Sequence, residues 1–250
     1  MSVPSPAPTD QSTTGVTVSP ETIFQVGEDG DIMLVVGPNK VKIQVFSSFL
    51  KYISPVFRAM LDSPMSEGEA FRNRVNNSPI EIILPEDNAR AMSQMLRGLY
   101  GVGPSCPHTK SDVRRVVILA DKYDMMKQLK YFGVYWMRAL GSVSGPTSLQ
   151  CQWDILITAY MLKEDNFFFF ASKAITKTKG SLLKYAMSTH DRELGLRLGM
   201  AIEEVRGVVK SFKGLEMGVC LDCFIQSTDS FTKKLDKCKS TDKHFNPALL

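Results

Sequence analysis

The sequence predicts an α+β unit, a small sheet flanked by helices, followed by an all-α extension. Three observations carry that reading. Short β-branched runs near residues 32–36, 41–45 and 80–84 alternate with helix-period segments up to about residue 140. After the loop "GSVSGPTS" every periodic segment is helical. The chain has 250 residues, 44% of them hydrophobic and 22% charged, which suffices for one large or two small units with a sizeable core. The expected organisation is a disordered tail at 1–22, a mixed unit at 24–140, a helical extension at 148–213 and a Cys-containing tail at 214–250.

Residues 1–22 are rich in Pro, Ser and Thr and poor in large apolar side chains, a composition that does not repay the entropy of ordering. Ser5-Pro6 and Ser19-Pro20 there match a kinase-site pattern of low specificity. The start has neither a basic segment nor an apolar centre, so it does not read as a secretory signal. No apolar run approaches the roughly 20 residues that span a bilayer. The five cysteines are then expected to be reduced thiols or metal ligands, in the cytoplasm or nucleus.

Structure is expected to begin at "GDIMLVVGPNKVKIQVF". Ile32 to Val36 is an apolar run, Gly37-Pro38-Asn39-Lys40 is turn chemistry, and Val41, Ile43 and Val45 alternate with polar residues, which together describe a hairpin. Ser47 and Ser48 open a helix carrying Phe49, Leu50 and Ile53. In "SPVFRAML" a proline interrupts an apolar helical run, and helix interiors reject proline. Ser54 as N-cap and Pro55 in the first turn instead start a second short helix, with Val56, Phe57, Met60 and Leu61 on one face. Residues 62–78 read as loop, Ile80 to Leu84 as a third strand, and Ala89 to Tyr100 as an amphipathic helix. Asp112 to Tyr123 and Met126 to Leu140 follow as helices, the second with Leu129, Phe132, Val134 and Trp136 at less regular spacing.

In the extension, Leu149, Trp153, Leu156 and Tyr160 step by three and four. Phe167 to Phe170 would cover most of a helix circumference, so that helix is expected to be nearly surrounded. Leu194, Leu198, Ala201, Ile202, Val205, Val208 and Phe212 form the cleanest stripe in the chain, with Asp191 or Thr189 capping its helix after His190.

Five pieces in order, "GDIMLVV", "VKIQV", "SSFLKYISPVFRAML", "IEIILPEDNARAMSQMLRGLYG" and "VVILADKYDMMKQL", resemble the BTB/POZ domain over residues 30 to about 140. The unit with its helical tail is similar to BTB proteins of fungi. The resemblance implies a helical hairpin packed on a small sheet, so that Phe57, Met60 and Leu61 face Ile32, Leu34, Ile82 and Leu84 as core. It implies protein–protein recognition rather than catalysis. Many BTB domains dimerise through the first helix and the segment before it, here residues 24–31 with Phe49, Tyr52 and Ile53. Many bind a cullin ubiquitin-ligase scaffold, here through the loop after Leu61, the 100–111 region and parts of the 112–140 helices. Transcriptional members pair an early Asp with a His-Arg opening the first helix. Asp31 matches, but the other positions fall on Phe46 and Ser47, so the charged pocket is expected to be absent and Asp31 to be a strand-edge or turn residue.

The chemistry-bearing constellation is C-terminal. Cys220 and Cys223 form a Cys-x-x-Cys, followed by Cys238 and His244. Three thiolates and an imidazole suit tetrahedral zinc. The irregular spacing of the second pair leaves plain thiols as the competing reading, and with them no cofactor at all. If zinc binds, the chain could be a zinc-stabilised nuclear regulator. Lys233, Lys234, Lys237, Lys239 and Lys243 alternate with Asp236 and Asp242, too dilute a basic run for nucleic acid. Cys106 and His108 share a Pro-rich loop with no orienting third group, and no G-x-S-x-G, Walker, dinucleotide or H-E-x-x-H motif occurs. The expected function is non-enzymatic: an interaction protein with protein partners, itself or a cullin among them.

Overall fold

In the computed structural model of the protein, residues 23–64, 66–74, 78–102, 107, 109–139, 148–212, 214–240 and 243–244 are described. The expectations for residues 1–22, Cys106 and His108 fall outside them. Four strands form one sheet: β1 (Ile23–Gln25), β2 (Ile32–Val36), β3 (Val41–Val45) and β4 (Ile80–Leu84), in the order β1-β3-β2-β4. β2 and β3 are the expected antiparallel hairpin, Ile32 opposite Val45, and β4 joins β2 in parallel. As an inner strand covered on both faces, β2 buries Ile32, Leu34, Val35 and Val36, whereas β4 alternates, Ile82 and Leu84 inward and Ile83 outward. β1 lies parallel to β3 at the sheet edge. Three residues are too few to show a period, so composition did not mark it.

The helical hairpin is α1 (Ser47–Ile53) and α2 (Pro55–Asp62). Ser54 starts α2 as expected: its hydroxyl accepts from the Phe57 N–H at 3.1 Å, and Pro55 occupies the first turn. The same hydroxyl donates to the Tyr123 carbonyl at 2.6 Å, fixing α2 to the end of α5 (Lys110–Lys122). Phe57 stacks on the Tyr123 ring at 4.5 Å between centroids. Phe57 and Leu61 are buried, while Val56 and Met60 are half-buried at the edge of the same core.

Residues Ser66–Arg72 form a short helix, α3, where loop was expected. Glu67 and Glu69 favour its positive N-terminal end, and Phe71 is its single large apolar residue, so no stripe announced it. α4 (Ala89–Tyr100) is capped by Asn88 and ends on Gly101. α5 begins ahead of its expected start because Asp112 is the third residue of a capping box opened by Thr109. In α6 (Met126–Ala139), Leu129 and Trp136 face inward as expected, but Phe132 is exposed and Gly133 and Met137 complete the buried face. A Cβ on Gly133 would come within 2.8 Å of Leu162, so glycine permits the close approach of α6 to α7 (Leu149–Leu162).

The extension comprises α7, α8 (Asp165–Thr176), α9 (Leu183–Met187), α10 (Arg192–Ser211) and α11 (Leu221–Gln226). Asp191 caps α10, and its stripe is buried from Leu194 to Val205 and emerges toward Phe212. α8 is covered on most of its circumference by α7, α10 and α11, as expected, with Asn166 and Phe170 left exposed; Phe168 is buried and Phe167 and Phe169 are half-buried. The buried side chains of both halves form one continuous core from Val26 to Phe224. At the joint between α5 and α7, buried Asp154 accepts from Arg114 at 2.7 Å, from Gln150 at 2.9 Å and from the Ser111 hydroxyl.

Asp31 is not a simple edge or turn residue. It accepts from the backbone N–H of Ser47 at 2.6 Å and from the Ser47 hydroxyl at 2.8 Å, so it caps α1 from the strand side; Phe46, at the cap position itself, has no oxygen to offer. Arg74, beyond α3, pairs with it at 3.0 Å and lies over the Phe71 ring. A charged pair therefore does exist at Asp31, built with an arginine from a different segment. Burial acts to raise the Asp31 carboxyl, but the Ser47 hydrogen bonds and the Arg74 charge outweigh it and hold the group below the usual carboxylate range.

Two outcomes test this architecture. Phe57→Ala should destabilise the protein by about 3–5 kcal/mol in urea unfolding, the cost of emptying a buried aromatic site. Because the folded-state pKa of Asp31 is depressed, its contribution is present above the unfolded value of about 4 and is lost as pH falls through the folded value. Asp31→Asn should therefore be less stable at neutral pH, and its stability should fall less steeply on acidification than that of the natural chain. Parallel acid dependences in the two would contradict the assignment.

Candidate interaction surfaces and a thiol–imidazole cluster

The three residues expected on a self-association surface fare differently. Tyr52 projects from α1 with 77% of its surface exposed. Phe49 is half-buried, its ring edge-on to Tyr100 at 4.8 Å. Ile53 is 3% exposed and belongs to the core, a correction to its place on that surface. The reason is helical phase: Leu50 and Ile53 share the inward face at a spacing of three, and Tyr52 lies off it. The segment before α1 folds back onto its own sheet as β1, where Val26 N–H donates to Gln44 O at 3.0 Å.

Elsewhere in the unit, α6 presents Tyr131 and Tyr135, 82% and 65% exposed, one turn apart on a single face. Phe132 adds part of its ring beside them. The sequence reading did not single these residues out. Two tyrosines four apart and off the stripe that buries Leu129 and Trp136 were the available signal.

The C-terminal tail is folded onto the extension. Phe224 of α11 packs against Tyr160, Phe168 and Phe231, with centroids 5.7, 5.4 and 5.5 Å away. Arg197 of α10 donates to the carbonyls of Phe224 and Ser227. The Glu204 carboxylate, further along α10, accepts from the Phe231 N–H at 3.0 Å and from the Thr232 hydroxyl at 2.9 Å. Glu203, its sequence neighbour, instead pairs with Arg206, so the two carboxylates serve different partners as expected of adjacent helical positions.

Within this tail the four expected residues come together. Cys220 precedes α11, Cys223 lies in its first turn, and Cys238 and His244 approach from the descending chain. Their donor atoms all lie within 4.8 Å of one another. The Sγ atoms of Cys220 and Cys238 are 3.6 Å apart, and His244 Nε2 is 3.5 Å from Cys223 Sγ and 3.3 Å from Cys238 Sγ. The three cysteines are buried and unbridged. Burial, reinforced by the neighbouring thiols, pushes the Cys220 thiol up to about 12 and raises that of Cys223. The leading cause is desolvation of the thiolate by burial.

His190 sits just ahead of α10, and burial lowers its pKa. Among the described residues no helix is long and apolar enough to cross a membrane.

No curated protein matches the chain. Residues 21–131, from the edge strand through the first half of α6, match the family model of the BTB/POZ domain. The hairpin of short helices on a small mixed sheet, with α4 to α6 closing it, is the arrangement that match requires; this segment of the chain is a BTB/POZ domain.

Proposed function

A BTB/POZ domain is a protein–protein interaction module, and we propose that this one works as an adaptor for a cullin-type ubiquitin ligase. The observation that carries the reading is the pair of bare tyrosines on α6, within the region that the family resemblance assigns to the scaffold. Tyrosine joins a large apolar ring to a polar tip and is enriched at interface centres. α6 is braced from behind by α7 through Gly133 and Leu162, so the face is offered on a rigid support with little ordering cost on binding. The helical extension would hold or contact the substrate.

Self-association is the weaker half of the reading. Of the three residues expected on that surface only Tyr52 is widely exposed, and the preceding segment is engaged within its own sheet. The alternative, a zinc-stabilised nuclear regulator working through its Cys/His tail, rests on the cluster of Cys220, Cys223, Cys238 and His244, which is folded onto the extension. The lysines beside it add little to that reading, since Lys243 is buried against Asp165 and Lys233 lies near Asp229.

Co-purification of the tagged chain with a cullin tests the proposal. Replacing Tyr131 and Tyr135 together by alanine should weaken recovery at least about tenfold, the loss expected of interface-centre aromatics, and leave thermal stability unchanged. A chain that ignores cullins, or binds them equally well without these tyrosines, overturns it. Light scattering reports the second half: a dimer mass that Tyr52→Arg converts to a monomer supports self-association through α1, and a monomer mass for the natural chain rules it out.

A further inference from the structure

We propose that Cys220, Cys223, Cys238 and His244 bind a single structural zinc ion, which fastens the C-terminal tail to the helical extension. Zinc with Zn–S bonds of about 2.3 Å and Zn–N bonds of about 2.0–2.1 Å has tetrahedral edges of about 3.8 Å between sulfurs and about 3.6 Å between sulfur and nitrogen. Three of the six edges are 3.6, 3.5 and 3.3 Å, close to those values, and the remaining donor pairs lie within 4.8 Å, a set that closes to a tetrahedron by side-chain movements of about an ångström. The thiols also pack with Leu235, but apolar packing gives no reason to bring an imidazole among them. The sulfurs of Cys220 and Cys238 are too far apart for a disulfide. Thiols are weak hydrogen-bonding groups and give little reason to gather three of them around one imidazole.

The donor set selects the ion. Three soft sulfurs and one imidazole disfavour magnesium and calcium, which take oxygen ligands, and favour zinc in tetrahedral coordination. Four protein donors leave no position open for water or substrate, so the ion's role is structural and not catalytic. The surroundings fit the same role. The Leu235 N–H points at Cys223 Sγ at 3.5 Å, the kind of outer contact that orients a thiolate ligand. The residues that carry the donors are themselves tied down. Val219, next to Cys220, donates to Ser172 of α8 at 2.8 Å, and Ser240 and Lys243, flanking the last two donors, both reach Asp165 at the start of α8. At Gly218 a Cβ would fall 2.3 Å from the Phe169 carbonyl, so only glycine lets the segment leading into Cys220 lie this close to α8.

The ion would close the loop from Cys220 to His244, whose regular structure amounts to little beyond α11. It would thereby hold Phe224 and Phe231 against α8 and α10.

Metal analysis of the full chain, purified under reducing conditions and supplied with equimolar zinc, should give about one zinc per protein. Cobalt substitution should produce the intense red-region absorption of a tetrahedral ion together with a thiolate charge-transfer band. Cys238→Ser should lower zinc affinity by more than about a hundredfold, and His244→Cys, which rebuilds a four-sulfur site, should retain the metal. Chelation should lower the unfolding midpoint of the natural chain and leave that of Cys238→Ser unchanged. Less than about a tenth of an equivalent of zinc in the natural chain overturns the proposal, as does an octahedral cobalt spectrum, iron in place of zinc, or a Cys238→Ser protein that keeps its zinc. Should Cys238→Ser fail to fold, the stoichiometry and cobalt spectrum of the natural chain decide alone. Cullin recovery is read on the same preparations: zinc loss that leaves it intact separates this inference from the adaptor reading.

Discussion

The BTB unit depends on one buried carboxylate. Asp87, in the turn between β4 and α4, is almost wholly enclosed and accepts from Lys122 at 2.6 Å and from the Tyr123 hydroxyl. Burial, and then the hydrogen bond to Asp87, drives the Tyr123 phenol well above its ordinary pKa, so it stays a donor at any physiological pH. Tyr123 in turn offers its carbonyl to Ser54 and its ring to Phe57. A single residue at the end of α5 thus locates the start of α2, the stacking of its central aromatic and the turn that launches α4. Buried polar networks of this kind fix geometry only when every member is satisfied, since an orphaned group in a low-dielectric interior costs more than the bond it lost. The sheet is too small to position three helices by area alone, and the relay supplies the missing specification.

A second buried carboxylate does similar work one layer out. Asp154 of α7 gathers Arg114 and Ser111 of α5, so the extension is keyed to the BTB unit by charge as well as by shape. Removing either partner of such a pair strands the other, at a cost of about 3–5 kcal/mol. With a common core running through both halves, α6 packs against both the unit and the extension. The proposed role of its outward tyrosines draws on that packing: an exposed aromatic on a mobile element loses entropy on binding, and one on a braced helix loses little.

Much of this was legible in the sequence where a residue's local chemistry and its tertiary role coincide. Ser54-Pro55 reads as a helix start from stereochemistry alone, and the strand runs at 32–36, 41–45 and 80–84 carry their own periods. The BTB match needed the order of five such pieces and no single motif. The failures have a common physical origin. β1 is held by pairing with β3, and α3 is tied to a distant segment through Arg74, which follows it, lies over Phe71 and pairs with Asp31; neither element has enough apolar residues to show a stripe. Ile53 and Tyr52 differ by one position on a seven-residue helix, too short for periodicity to fix which of them faces out. The run of phenylalanines announced a well-covered helix but not that Phe170 would be the ring left outside. Periodicity says how many sides of a helix are apolar, while the number of neighbours available to cover them is a property of the whole fold.

The tail shows where sequence and geometry complement each other. Cys-x-x-Cys with a later Cys and His is a pattern of residue types, and the spacing of fourteen and five residues left metal and plain thiols both open. What spacing cannot supply is convergence. The descending chain could have carried Cys238 and His244 anywhere over the extension, yet Asp165, Glu204 and Arg197 catch it at points that return both donors to the mouth of α11. Ordering a residue costs about 1–2 kcal/mol of backbone entropy, and an irregular segment of this length has few apolar side chains besides Phe224 and Phe231 to offset that cost. Net hydrogen bonds contribute about 0.5–1.5 kcal/mol each, so the catches on α8 and α10 recover only part of it. A tetrahedral ion at the four donors would cross-link the segment's two ends and remove most of the freedom that the unfolded tail would otherwise regain, which is the physical reason to expect so irregular a stretch to hold one conformation.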